Sequence, residues 1–164
     1  MKKAVTILDV GSGTPSIFNI PFMHENTVHL DIERTAYSLD ILADAYIIPF
    51  EDQSFDVLHV SHVLEQLSNP CEALEEFRRV ARKIVIIKVP NASRMFWNES
   101  PSHLFSWNQF SLDNLLSMFF PRVEISPRSR LARKTLMNRL KNLIYCALFR
   151  QSQLYAICWC ENHE

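Results

Sequence analysis

Only two glycines occur in this chain of 164 residues, and both fall in one stretch, Asp9-Val10-Gly11-Ser12-Gly13. Average usage would give roughly eleven. Glycine takes up left-handed backbone angles and lets a main chain approach a ligand closely, so Gly11 and Gly13 read as a ligand loop. The third glycine of a GxGxxG loop is replaced by Ser16, which suits a pyrophosphate badly. Asp31 follows Gly11 by 20 residues. A carboxylate at that offset accepts hydrogen bonds from both hydroxyls of a ribose. Asp44 could accept from an adenine amino group, and the Ala45 amide could donate to a ring nitrogen. The candidate bases are six histidines: His24, His29, His59, His62, His103 and His163. His59 lies inside an apolar run and reads as packed core. His62 ends that run, next to Ser61. Cys71, Cys146, Cys158 and Cys160 match neither a zinc spacing nor a CxxC motif, so no metal site is expected.

The elements that must position these groups follow from the pattern. Val5 to Val10 is β-branched and apolar up to Gly11 and reads as a buried strand. Val28–Ile32, Ala45–Ile48 (stopped by Pro49) and Phe55–Val60 read as three more. Pro70–Arg82 carries Ala73, Leu74, Phe77, Val80 and Ala81 on one helical stripe, with Asn69 as its N-cap. Ile84–Val89 is a fifth strand closed by Pro90. Ser111–Phe120 reads as a helix capped by Ser111. Arg122–Ile125 is a strand, Arg130–Phe149 an amphipathic helix and Leu154–Cys160 a last strand. Strands alternating with helices predict a parallel α/β sheet with right-handed crossovers. Ligands of such sheets sit at the carboxyl ends of the strands, where Gly11, Asp31 and His62 fall.

Composition sets the wider frame. Hydrophobic residues are 48% and charged residues 21%, which predicts one globular domain over 1–164 and excludes a disordered chain. No apolar run reaches the roughly 20 residues of a bilayer span. Met1-Lys2-Lys3-Ala4-Val5 is too short to begin a secretory signal, so reduced thiols and a cytoplasmic location are expected. Net charge is −1, but its layout is uneven. Asp9 to Glu76 holds thirteen acids and one base, whereas Arg122 to Arg150 holds eight bases and one acid. The basic helix 130–149 is then either a plain covering helix or a docking surface for an anionic substrate or a membrane. No nucleic-acid motif accompanies it.

In order along the chain stand Ile7-Leu8-Asp9-Val10-Gly11-Ser12-Gly13, Leu30-Asp31-Ile32, Ala43-Asp44-Ala45 through Ile48-Pro49-Phe50 to Ser54-Phe55-Asp56, Val63-Leu64-Glu65-Gln66-Leu67 and Glu76-Phe77-Arg78-Arg79-Val80. In this ordered set the chain resembles the small type 11 group of class I S-adenosylmethionine-dependent methyltransferases, over about Val5 to Pro90. His103-Leu104-Phe105-Ser106-Trp107 is similar to that family's stretch after the fifth strand. The resemblance implies a Rossmann-like sheet of order 3-2-1-4-5-7-6 with the last strand antiparallel. It implies a cofactor site of Asp9, Gly11, Ser12, Gly13, Asp31, Ile32, Asp44, Ala45, Ser61 and His62. Within it the glycines lie at the methionine end, Asp31 on the ribose, Ile32 on the adenine and Asp44 and Ala45 at its edge. His62 and His103 take the substrate side, as catalytic bases or polar lining. The acceptor implied is a small or lipid-like molecule. An apolar pocket for it could draw on Phe96, Trp97, Phe105, Trp107 and Phe110. The family's first motif falls at residue 7 here, so the helices that cover the substrate side are expected to be missing and self-association to shield that face. Arg82-Lys83 replaces the family's Lys-Pro-Gly-Gly turn. Two rival readings are a non-catalytic cofactor-binding module that needs a partner chain, and an NAD-dependent oxidoreductase using the Gly11-to-Asp31 spacing.

Overall fold

The computed structural model describes residues 5–13, 26–34, 39–92, 101–126 and 153–161. The elements are β1 (Ile7–Val10), β2 (Thr27–Asp31), β3 (Ile41–Leu42), β4 (Phe55–Ser61), α1 (Pro70–Val80), β5 (Ala81–Pro90), α2 (Gln109–Leu116), β6 (Arg122–Ser126) and β7 (Gln153–Trp159). They form one seven-stranded sheet of order β3-β2-β1-β4-β5-β7-β6. Strands β3, β2, β1, β4 and β5 run parallel, and β7 runs antiparallel to both β5 and β6. This is the order and the strand sense that the family resemblance implies.

Period-two alternation divides the sheet into two unlike faces. Leu8 and Val10 of β1 share a face with Leu58 and Val60 of β4 and with Val85, Ile87 and Val89 of β5, and all are buried. That face meets α1, whose Ala73, Leu74, Phe77 and Val80 are fully buried at helical spacing, and Leu112 and Leu116 of α2. Burying a side chain the size of Phe77 contributes about 1.5–3 kcal/mol. The opposite face carries a polar row at its centre: Asp9 on β1 lies in register between His29 on β2 and His59 on β4.

Four sequence expectations change. The third strand is Ile41–Leu42, not Ala45–Ile48. Asp44 turns the chain there: its carboxylate accepts from the Tyr46 amide at 3.0 Å and its carbonyl from the Ile47 amide at 3.1 Å. Such a local side-chain bond competes with strand pairing. Ala45 and Ile48 are buried all the same, which is why they look like strand in the sequence. The helix that starts at Pro70 stops at Val80, because Ala81 is already extended and pairs with Phe55. Asn69 precedes α1 but makes no side-chain cap; its side-chain Nδ2 donates to Glu72 Oε2 instead. The cap of α2 is Asn108, not Ser111. The two form a reciprocal capping box in which Asn108 Oδ1 accepts from the Ser111 amide at 2.9 Å and Ser111 Oγ from the Asn108 amide at 3.1 Å. The helix expected over 130–149 lies outside the described residues, as do Phe96, Trp97, His24, His163 and Cys146.

Candidate active site

The glycine loop leaves β1 and folds back onto the end of β2. Gly11 and Gly13 both take left-handed angles, φ +72° and +52°. The Gly11 amide donates to the Leu30 carbonyl at 2.8 Å, and the Ser12 amide to the same oxygen at 3.3 Å. A Cβ on Gly11 would stand 2.0 Å from Val63 Cγ2, so the chain's own packing demands glycine there. Gly13 donates its amide to Asp31 Oδ2 at 2.7 Å, and Asp31 Oδ1 accepts from the Glu33 amide at 2.9 Å. Asp31 is buried, yet each carboxylate oxygen keeps a lone pair beyond these bonds. Next to it, Ile32 is 65% exposed, an apolar side chain left open beside a buried acid.

The loop after β3 brings Asp44 and Ala45 to the same end of the sheet, and α1 holds that loop down. Arg79 Nη2 donates to the Ile48 carbonyl at 2.9 Å and Nη1 to the Phe50 carbonyl at 2.8 Å. Arg79 also pairs with Glu76 at 2.6 Å and with Asp52 at 2.9 Å. Glu76 Oε2 in turn accepts from the Ile48 amide at 3.0 Å. The Arg79 bond, helped by that amide, holds the Glu76 carboxyl below its usual range. The partners of Arg79 push its guanidinium higher still.

At the end of β4 stand Ser61 and His62. His62 has φ +58°, a left-handed angle rare for a side-chain-bearing residue. Its amide donates to the Lys88 carbonyl at 2.9 Å, and its carbonyl accepts from Gln66 Nε2 at 2.5 Å. Its Nδ1 lies 3.1 Å from Glu65 Oε1, and Glu65 is 1% exposed. His103 Nε2 is 3.9 Å from the same oxygen. The Glu65 carbonyl accepts from the amides of Leu104 at 2.8 Å and Phe105 at 3.1 Å. This tie, with a parallel bridge between Asn91 and Trp107, brings His103 to the end of β5. Burial pulls the Lys88 ammonium below its usual range, against the attraction of Glu65.

The structure thus gathers Gly11, Ser12, Gly13, Asp31, Ile32, Asp44, Ala45, Ser61 and His62 at the carboxyl ends of four adjacent strands, with His103 beside the fifth. Asp9 stands apart. It lies within β1, 2% exposed, with Oδ1 2.6 Å from His59 Nδ1 and Oδ2 3.2 Å from His29 Nδ1. Its carboxylate is taken up inside the sheet. Sequence reasoning passed over Glu65 and Arg79 as parts of motifs. A buried-looking acid three residues after a candidate base was the available signal for Glu65.

Three features of these residues fit an adenosyl cofactor carrying an amino acid. Ser12 Oγ and Ser61 Oγ are buried at the strand ends without a hydrogen-bond partner among the described residues, and buried polar atoms ordinarily have one. Asp31 has acceptor capacity to spare for a diol. Ile32 offers an open apolar face. By contrast, open clefts lined by Arg78, Arg79, Met118 and Phe119 lie at the opposite, amino ends of the strands, where sheets of this kind do not bind ligands.

Residues 8–87 match a family model described as a methyltransferase domain. A ubiquinone/menaquinone biosynthesis C-methyltransferase of Ruegeria sp. (strain TM1040) is 32% identical over 75 residues, which cover 44% of this chain and 30% of that protein. A Methanocaldococcus jannaschii protein, MJ0638, is 31% identical over 97 residues, 54% of this chain and 42% of its own. The chain therefore spans less than half the length of these curated relatives. Among solved structures, a chain of the complex between the Haloferax volcanii Trm112 methyltransferase activator and its methyltransferase superposes with a TM-score of 0.65. That match has 14% identity over 96% of this chain and 83% of the other. An S-adenosylmethionine-dependent methyltransferase from Archaeoglobus fulgidus gives 0.61 at 18% identity, over 96% and 86%. At these identities the likeness to the solved structures is one of fold.

Proposed function

We propose that this chain is a class I S-adenosylmethionine-dependent methyltransferase domain, which binds S-adenosylmethionine at the ends of β1 to β4 and methylates a small-molecule or lipid-like acceptor. The observation that carries the reading is Asp31: a buried carboxylate that ties down the glycine loop through the Gly13 amide and still has acceptor capacity for a ribose diol. The bound cofactor would supply an electrophilic methyl group on a positively charged sulfur. The chain's residues would hold it. Asp31 accepts from the ribose, Ile32 covers the adenine, Asp44 and the Ala45 amide read its edge, and Ser12 and Ser61 take polar groups of the methionine part. Much of the catalysis is then positioning of two reactants. The Ruegeria relative's name points to an apolar ring acceptor. Phe105 and Trp107, stacked at 5.5 Å next to His103, suit one. Exposed Leu42 and Ile47 near the β3 edge support self-association, and sedimentation at micromolar concentration that finds monomer alone would overturn that part.

Titration calorimetry tests the cofactor reading. Wild type is expected to bind S-adenosylmethionine and S-adenosylhomocysteine and not NAD. Gly13→Val should abolish binding. Asp31→Ala should weaken it about tenfold to a few hundredfold, since bonds to a charged acceptor contribute about 1.5–3 kcal/mol each and water recovers part. Asp44→Ala should cost less. Tight NAD binding, or full affinity in Asp31→Ala, would refute the reading.

A further inference from the structure

Just past β4, beside the orphaned Ser61 Oγ, two further buried polar atoms have no hydrogen-bond partner among the described residues: His62 Nε2 and Glu65 Oε2. The arrangement around them decides what kind of ligand group they await. Glu65 is 1% exposed and presents Oε1 to His62 Nδ1 at 3.1 Å. A carboxylate accepts and does not donate, so the imidazole proton of a neutral His62 sits on Nδ1. Nε2 is then a lone pair. Both orphaned atoms are therefore acceptors, and the group that satisfies them must bring protons. The same carboxylate stands 3.9 Å from His103 Nε2, too far for a hydrogen bond, so Glu65 selects His62 of the two strand-end histidines. The backbone holds the pair rigidly. His62 is pinned in its left-handed angle by bonds to the Lys88 carbonyl and from the Gln66 side chain. Glu65 is anchored by the Leu104 and Phe105 amides on its carbonyl.

We infer that Glu65 is a positioning residue that fixes the tautomer of His62, and that His62 Nε2 is the proton acceptor for a methyl acceptor that arrives protonated at a hydroxyl or amine. This rests on the cofactor reading above and names the substrate class for it. As the acceptor's heteroatom bonds to the methyl carbon, the carbon–sulfur bond breaks, and its electron pair stays on sulfur, which becomes neutral. The acceptor's proton passes to Nε2. The imidazolium so formed is paired with the Glu65 carboxylate at Nδ1. Among the described residues, Lys88 and His103 are the other titratable groups facing Glu65. A substrate that reacts as a carboxylate or through a thioether has no proton to give and leaves both orphaned acceptors unsatisfied.

Long-range proton–nitrogen NMR on protein labelled with nitrogen-15 histidine reads the tautomer directly, with His62→Gln to assign the signals. The sample is wild type saturated with S-adenosylhomocysteine at pH 8. His62 is expected to carry its proton on Nδ1 by at least about tenfold over Nε2. In Glu65→Gln the amide can donate to Nδ1, so that preference should be lost, with S-adenosylhomocysteine affinity within about twofold of wild type. A proton on Nε2 in the wild type overturns the proposal, since the site would then offer a donor and suit an anionic acceptor. An unchanged tautomer in Glu65→Gln overturns the role of Glu65. Should that variant not fold, the wild-type tautomer alone decides. Failure of wild type to bind S-adenosylhomocysteine strikes the cofactor reading instead, and the tautomer is then read on the free protein.

Discussion

At single residues, the strongest constraints come from contacts that spacing cannot reveal. The sequence marks Gly11 and Gly13 as special, and both adopt left-handed angles, but only the fold shows that Gly11 faces Val63. Gly11→Ala should therefore destabilise the protein before it affects any ligand. Overpacking costs about 1–3 kcal/mol and a left-handed non-glycine residue about 1–2, so about 2–5 kcal/mol is expected in urea unfolding. Val63→Ala added to it should restore the packing part, and a double variant no more stable than Gly11→Ala would refute the contact. Asp9 is the opposite case. The family resemblance implied a cofactor ligand, whereas its two oxygens meet His29 and His59 from the neighbouring strands. That pairing depends on cross-strand register, where a slip of one residue reverses every side chain, and no local motif encodes it. Asp9→Asn keeps one acceptor oxygen and loses the charge. It should cost about 1.5–3 kcal/mol of stability while leaving S-adenosylhomocysteine affinity within a few-fold, as denaturant and calorimetric titrations would measure.

At the level of elements, β1, β2 and β4 and the stripe of α1 were legible because their periods are regular. The loop after β3 was not, because Asp44 supplies a turn from its own side chain and the buried Ala45 and Ile48 imitate a strand. What holds this loop is Arg79, one residue short of the end of α1 and twenty-seven residues beyond Asp52. Its planar fork reaches two carbonyls and two carboxylates at once, which a lysine ammonium cannot. Arg79→Lys is expected to lower stability by about 1–2 kcal/mol, a modest figure because the side chain is about a third exposed. It should also weaken S-adenosylhomocysteine binding several-fold, since the freed loop carries Asp44 and Ala45. Unaltered affinity on calorimetric titration would mean that the loop keeps its shape without the clamp.

For the molecule as a whole, the motifs mark the strand ends in chain order, while the spatial order of the strands was legible only through the family resemblance. The uneven charge was readable too, but its basic part falls mostly in 127–152, outside the described residues. The acid part can be followed into the fold, where it makes stability depend on pH. Asp56 joins three strands' neighbourhoods. Oδ1 meets Lys83 at 2.9 Å and Arg82 at 3.2 Å, and Oδ2 accepts from the Thr6 amide at 3.2 Å. Its pKa falls below the ordinary 3.8, chiefly through the Lys83 bond and against the penalty of burial. Glu76 falls below its ordinary 4.5 through Arg79. A carboxyl whose folded pKa is depressed binds its proton more weakly folded than unfolded. Its contribution is therefore complete above the unfolded value and shrinks as pH falls toward the folded one. The urea midpoint should lose nothing to these two groups between pH 7 and about 5.5, and should fall with acid from about pH 4.5 downward. Asp56→Asn should be less stable than wild type at pH 7, because the amide cannot hold two cations. Its midpoint should also fall less steeply between about pH 5 and 3, since one titrating group is gone. Urea unfolding of the two proteins across that range decides it, and parallel curves would show that the acid sensitivity arises elsewhere in the chain.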